Sequence, residues 1–394
     1  MSKKNEPVVV SAVRTAVGRA FKGTLRETRP DDLAAACLTG ALERAGGFDP
    51  ADLDDIVLGC AMPEGPQGLN VARLAQFRAG IPYHVPAITV NRFCSSGLQS
   101  IAMAADRIAT GQASVVVAGG TESMSMVPMT GERFVPNPTL VAEMPEAYIS
   151  MGLTAEEVAS RFDVSREDQD AFALESHRKA IAAIDAGVFA DELVPVEIPG
   201  RKGAVTVVDT DEPPRRDTTL EALAKLRPAF AGDAPPEVTE PSVTAGNAPG
   251  LNDGAAATVV TSEAYARSHG LDILGRIAAY SVGATEPRDL FFAPITAVRR
   301  LMEKEGTTID DYGLFEVNEA FAVQAIADAR ELGMDFDRIN VRGGAIALGH
   351  PIGASGAKIL TTLLYAMRDL DVDKGMATLC LGGGNAVALS VERA

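Results

Sequence analysis

Val90-Asn91-Arg92-Phe93-Cys94-Ser95-Ser96-Gly97 leaves the β-branched run Ala87-Ile88-Thr89-Val90 and enters a stretch of different rhythm. There the apolar residues Leu98, Ile101, Ala102, Ala105 and Ile108 recur at helical spacing. The helix leads to the buried-looking strand Val115-Val116-Val117-Ala118 and to Gly119-Gly120, read as a turn. The same layout returns late in the chain. Ile352-Gly353-Ala354-Ser355-Gly356 precedes a helix with Ile359, Leu360, Leu363, Leu364 and Met367, then a strand Ala377–Leu381 and Gly382-Gly383-Gly384. An ordered echo with little identity is most simply a duplicated α/β domain.

Outward from these two stretches, strands and helices alternate, which points to α/β architecture around a largely buried sheet. The first half reads as strand Val8–Val10, helix Asp31–Ala45, strand Ile56–Leu58 and a returning strand Ala255–Thr261. The second half has a strand from Arg276 to Val282, helix Ile295–Glu305, strand Leu314–Val317 and helix Glu319–Leu332. Between about 121 and 245 the rhythm changes to charged helices, Thr154–Arg161 and Arg166–Ala186, broken by Pro213-Pro214 and Pro235-Pro236. This is an excursion inserted into a first domain of residues 1–272, with 273–394 as the second.

The chain has 394 residues, and 36 Lys+Arg against 53 Asp+Glu give a formal net charge of -17. That balance argues against nucleic acid or an anionic membrane as partner, since both call for a basic face. The first ten residues carry lysines but no apolar core of a signal peptide, so a soluble, cytoplasmic protein is expected. The four cysteines and four histidines show no metal-ligand spacing, so no metal is expected and the cysteines read as free thiols.

Cys94 follows a strand and precedes a helix, where the helix dipole is expected to lower a thiol's pKa and favour the thiolate. Asn318 closes a strand, His350 lies in the glycine-rich loop Gly343–Pro351, and Cys380 ends a strand before three glycines. Ligands of open α/β sheets bind outside the carboxyl ends of strands, so the four can converge. Singly, each has a plainer reading: Cys94 and Cys380 as core thiols, Asn318 as a helix cap, His350 as a turn residue.

Taken together, Asn91–Gly97, Asn318-Glu319-Ala320-Phe321-Ala322, Gly343–Gly356 and Cys380-Leu381-Gly382-Gly383-Gly384 resemble, in order, four motifs of the thiolase family. Arg14-Thr15 and Val243-Thr244-Ala245-Gly246-Asn247 extend the likeness almost from end to end. The resemblance implies duplicated βαβαβαββ domains with an inserted loop domain, and a ping-pong Claisen acyltransferase of fatty acid metabolism. It implies Cys94 as the acylated nucleophile, His350 as its base, and Cys380 as the second acid or base. Asn318 would hold a water beside the enolate, and the Cys94 and Gly382 amides would form an oxyanion hole. Coenzyme A and acyl-CoA enter as substrates, with no tightly bound cofactor. Arg215 would meet the nucleotide phosphates, and Met151, Phe321, Leu226 and Ala320 would line the pantetheine and acyl pocket. A homodimer or homotetramer is expected by the same likeness.

This sequence departs from the family at Pro249, at a longer 231–241 segment, and at Leu290-Phe291-Phe292-Ala293-Pro294. Ser150 stands where many acetoacetyl-CoA-forming members have histidine, which predicts room for acyl chains beyond four carbons unless Phe291 and Phe292 refill it. Two other readings stand beside the enzyme: a non-catalytic acyl-CoA-binding subunit, which the retained Cys94, His350 and Cys380 argue against, and a ketosynthase-like condensing enzyme. Cys380, where ketosynthases use histidine, argues against the latter.

Overall fold

Nine strands hydrogen-bond side by side in the order Leu314–Val317, Lys374–Leu381, Asn385–Glu392, Gly275–Ala284, Pro7–Thr15, Asn252–Ser262, Val115–Ser123, Asp55–Gly59 and Ala87–Val90. The computed structural model describes residues 5–233 and 238–394. Pro235-Pro236 and part of the 231–241 segment lie outside the described residues.

Read from the middle outward, the two halves are copies. In each, the first strand neighbours the last, the last pairs antiparallel with the penultimate, and that strand pairs in parallel with the second. In the first half the third strand, Ala87–Val90, adds in parallel beyond Asp55–Gly59; in the second only the parallel bridge Phe315–Ile339 stands in its place. Across the halves the strand pairing continues through Val8–Arg276 and Val9–Gly275.

Successive strand residues point to opposite faces, and here both faces are covered. Val115 and Val117 pack outward with Leu33 and Leu38 of the Pro30–Ala45 helix. Val116 and Ala118 pack inward, with Leu98, Ile101 and Ile108 of helix Ser96–Ala109. The second half repeats this. Met376 faces Val298 and Leu301 of the Ala293–Glu305 helix, while Ala377 and Leu379 face Leu360 and Leu363 of helix Ile352–Asp369. Two central helices thus lie between the two halves of the sheet, each half covered outside by further helices. Each buried leucine or isoleucine of that middle layer contributes roughly 1.5–3 kcal/mol.

Small residues set how closely the central helices meet. A Cβ on Gly97 would stand 2.8 Å from the Ala357 nitrogen, and one on Gly356 would stand 2.4 Å from the Leu98 nitrogen. Gly119-Gly120 is not a turn: the strand continues to Ser123. Its glycines serve packing, since a Cβ at Gly120 would meet the Gly353 oxygen at 2.1 Å.

The excursion carries helices Met151–Arg161 and Arg166–Asp185 and a small Val196–Pro199/Val205–Val208 hairpin. Arg14, at the end of the first strand, fastens it to the body. The buried guanidinium grips both Asp211 oxygens at 2.8 and 2.9 Å and Glu192 at 2.6 Å.

Candidate active site

Cys94 sits in the turn between strand Ala87–Val90 and its helix, and Phe93 immediately before it has φ of 41°. A non-glycine residue there stores of order 1–3 kcal/mol of strain, so the turn has to be held from several sides. The Phe93 N–H donates to Asn91 Oδ1 at 2.8 Å, Ser96 Oγ donates to the Phe93 carbonyl at 2.6 Å, and Ser95 Oγ donates to the Leu379 carbonyl at 3.1 Å. The last bond ties the Cys94 turn to the strand that carries Cys380.

Both thiols are buried. Burial, together with the neighbouring Glu122 carboxyl, pushes the Cys94 thiol up to about 12. The helix N-terminus therefore does not produce the resting thiolate expected from sequence; loss of solvent outweighs the dipole. Burial also raises Cys380 well above its ordinary value, with Cys94 and Asp328 adding to it. Gly382 follows that strand, and the nearest atom to a Cβ there would be Phe93 Cδ2 at 3.8 Å, so its backbone lies against the Cys94 turn. Gly383 and Gly384, at φ of 81° and 84°, make the tight turn that keeps it there.

His350 precedes the Ile352–Asp369 helix, whose first turn packs on Gly97 and Gly120. It is no loose turn residue. Its backbone N–H donates to Asn252 Oδ1 at 2.8 Å and its Nδ1 lies 2.6 Å from Ser355 Oγ. Ser355 already donates its own proton to the Pro351 carbonyl at 2.9 Å, so it accepts the Nδ1 proton and leaves Nε2 as a free acceptor. Burial and the Lys358 charge push the imidazole down to about 3, so it is neutral near pH 7.

Asn318 is not a helix cap. The helix begins at Ala322, three residues later than predicted, because the Ala320 N–H turns back to the Asn318 carbonyl at 2.9 Å. Its carboxamide is buried, and neither Oδ1 nor Nδ2 has a partner among the described residues. Buried polar side chains usually have a hydrogen-bond partner, and this one is left able to bond to water or a ligand. Glu319 secures the segment by accepting from Ser176 Oγ at 2.7 Å, Asn340 Nδ2 at 2.8 Å and the Ile346 N–H at 3.0 Å.

Ala320, Met151 and Phe321 share one apolar cluster with Cys380, Phe230 and Phe291. Leu226 stands apart from it, packed over Gly246 and Ile346. Arg215 is exposed and makes no ion pair among the described residues, while Arg216 is engaged by Asp185 at 2.6 Å. Sequence reasoning left Phe291 unplaced and overlooked Glu122 and Ser355. Phe291 is fully buried, edge-on to Phe321 with ring centroids 5.5 Å apart. Ser150 caps the next helix, accepting from the Leu153 N–H at 3.3 Å.

In this duplicated α/β fold a thiol from each half lies close to the other, the helix that follows His350 packs on the helix that follows Cys94, and the buried Asn318 carboxamide has no partner among the described residues; the fold and these groups are those of the acyl-transferring enzymes. Family models for "Thiolase, N-terminal domain" and "Thiolase, C-terminal domain" match residues 7–264 and 271–393, and the chain belongs to the thiolase family. It is 47% identical to the 3-ketoacyl-CoA thiolase of Bacillus subtilis, over 97% of this chain and 98% of that one. It is also 47% identical to the acetyl-CoA acetyltransferase of Pseudomonas aeruginosa, over 98% and 99%. The crystal structure of the Bacillus anthracis acetyl-CoA acetyltransferase matches with a TM-score of 0.89 at 41% identity, covering 99% of each chain.

Proposed function

We propose that this thiolase cleaves 3-ketoacyl-CoA with CoA, or condenses two acetyl-CoA molecules, through an acyl group held on Cys94. The observation that carries the reading is the meeting of two buried thiols from different halves, near enough that charge on Cys94 disfavours charge on Cys380. One accepts the acyl group; the other handles the carbon acid.

A thiol pushed up to about 12 is inert until a base takes its proton. His350 serves, neutral and with Nε2 free, as the acyl-CoA thioester approaches. The Cys94 and Gly382 amides stabilise the oxyanion, each such donor contributing ~2.7–4 kcal/mol. Cys380 then removes a proton from the methyl carbon of acetyl-CoA, or returns one in cleavage. The proton that His350 takes from Cys94 passes to the departing CoA thiolate, and in the carbon-acid step a water on Asn318, with His350 whenever Nε2 carries a proton, stabilises the enolate oxygen. Arg215 meets the nucleotide phosphates, as a guanidinium suits. Met151, Ala320, Phe321 and Leu226 line the path of pantetheine and acyl chain, and Phe291 closes it for short acyl groups.

We further propose that the repeat divides near residue 272, with the CoA-covering loop region at about 121–245 belonging to the first domain. A homodimer or homotetramer is supported by strand Ala87–Val90, which ends the sheet with an edge that has no strand partner among the described residues and an exposed Ile88. Four free cysteines support the reducing cytoplasm. No helix among the described residues is long and apolar enough to cross a membrane.

Incubation with acetyl-CoA followed by peptide mass spectrometry is expected to find acetyl on the Cys94 peptide. Label confined to Cys37 or Cys60 would sink the assignment. Thiolysis of acetoacetyl-CoA beside a long-chain 3-ketoacyl-CoA then settles the substrate length.

A further inference from the structure

Glu122 is a buried carboxylate with one thread to the Cys94 turn and another to the helix behind His350. It is 1% exposed and near the end of strand Val115–Ser123. Its Oε2 accepts from the Ala61 N–H at 2.7 Å and the Gly353 N–H at 2.9 Å. Its Oε1 accepts from Gln67 Nε2 at 2.6 Å and the Met62 N–H at 3.3 Å, with the Cys60 thiol 3.9 Å away. Four N–H donors suit the acceptor-only, ionised form of a carboxylate. Burial pushes its pKa up, and those hydrogen bonds work against the rise.

Each thread leads to one side of the site. The Ala61 carbonyl accepts from Asn91 Nδ2 at 3.0 Å, and Asn91 Oδ1 accepts from the N–H of the strained Phe93 at 2.8 Å. Cys94 is the next residue. On the other side, Gly353 lies three residues beyond His350. A Cβ at Gly353 would stand 2.4 Å from Glu122 Oε2, so only glycine lets that carboxylate reach the backbone.

We propose that Glu122 is a positioning residue for the acyl transfer, clamping the nucleophile turn and the start of the His350 helix in one register. The proposal rests on Cys94 being the nucleophile. The clamp's charge also bears on Cys94, keeping it a thiol until His350 takes its proton. From the second half Cys380 is the titratable group that faces this thiol, while Cys60 lies beside Glu122 and the Lys358 charge acts on His350.

Glu122→Gln keeps size but turns an amide NH₂ toward donors. Its kcat is expected to fall ~10²-fold, the scale of a misplaced reacting group, while KM for acetyl-CoA holds. Iodoacetamide alkylation of Cys94 should shift to lower pH, because a negative charge beside the thiol has gone. Glu122→Asp should recover part of the turnover. Asn91 is exposed, so Asn91→Ala cuts only the thread to Phe93 without endangering the fold. It should lower kcat with its alkylation midpoint unmoved, and it decides the matter if Glu122→Gln does not fold. Acetylation of wild-type Cys94 tests the underlying reading by itself. A wild type that acetylates, beside folded variants with undiminished kcat, overturns the clamp and leaves the thiolase reading standing.

Discussion

The connection from penultimate to last strand separates the two halves more sharply than any other feature. In the first half it is residues 124–251, which carry the excursion; in the second it is Gly382-Gly383-Gly384. The strands before it are in register. The second strand of each half makes its last parallel pair at Gly59–Gly120 and at Val317–Thr378. Two residues further on stand Glu122 and Cys380. The central helices touch at matching points too, since Gly97 and Gly356 each mark where one backbone meets the other helix. Three residues before each stand Cys94 and Gly353. Glu122 against Gly353 is thus the twin of Cys380 against Cys94. Duplication supplied two like corners; one became the candidate site of chemistry and the other the clamp that holds it.

The largest effect is expected where the corners differ in chemistry. Cys380→Ser should still accept acetyl on Cys94 while condensation and thiolysis fall ~10²–10⁴-fold, the range of a lost general acid–base group. Wild-type turnover in that variant would make the two corners equivalent and remove Cys380 from the mechanism.

The excursion depends on its anchor. Arg14→Ala leaves Asp211 and Glu192 buried without their cation, and breaking such a group typically costs ~3–5 kcal/mol. Denaturant unfolding should show a lowered midpoint. An unchanged midpoint would mean that the loop region docks without its anchor.

The symmetry of the helix crossing is tested more gently. Gly356→Ala forces a methyl against the Leu98 backbone and should destabilise by ~1–3 kcal/mol, seen as a drop in Tm. Gly97→Ala, against the Ala357 nitrogen, should lose a comparable amount; a neutral change at one site alone would break the twinning.

The smallest effect concerns the proposed acyl wall, to which the second half contributes Phe291. Phe291→Ala should raise kcat/KM for a 3-ketohexanoyl-CoA relative to acetoacetyl-CoA by roughly fourfold per methylene accommodated, at ~0.8 kcal/mol each. An unmoved ratio would show that Phe291 supports the core without touching the acyl chain, and would return the question to Ser150.

Most of the elements were legible because amphipathic rhythm is local: one helix or strand repeats its pattern within a dozen residues. The duplicated layout and the four motifs carrying Cys94, Asn318, His350 and Cys380 are of the same kind, short stretches read one at a time. What failed was decided between distant stretches. Gly119-Gly120 looked like a turn because nothing nearby reveals that Gly353 and Ala256 press against it. Cys94 looked like a ready thiolate because a helix N-terminus can be read from sequence, whereas the depth of burial that outweighs it cannot. Glu122 meets Gly353 across 231 residues, and Phe291 shares a cluster with Phe230 and Met151 only once the excursion has closed on the second half. Periodicity along the chain determined which elements form. Desolvation, close backbone approach and the partners of buried polar groups exist only after those elements pack, and they set the protonation of the thiols, the clamp and the wall of the acyl site.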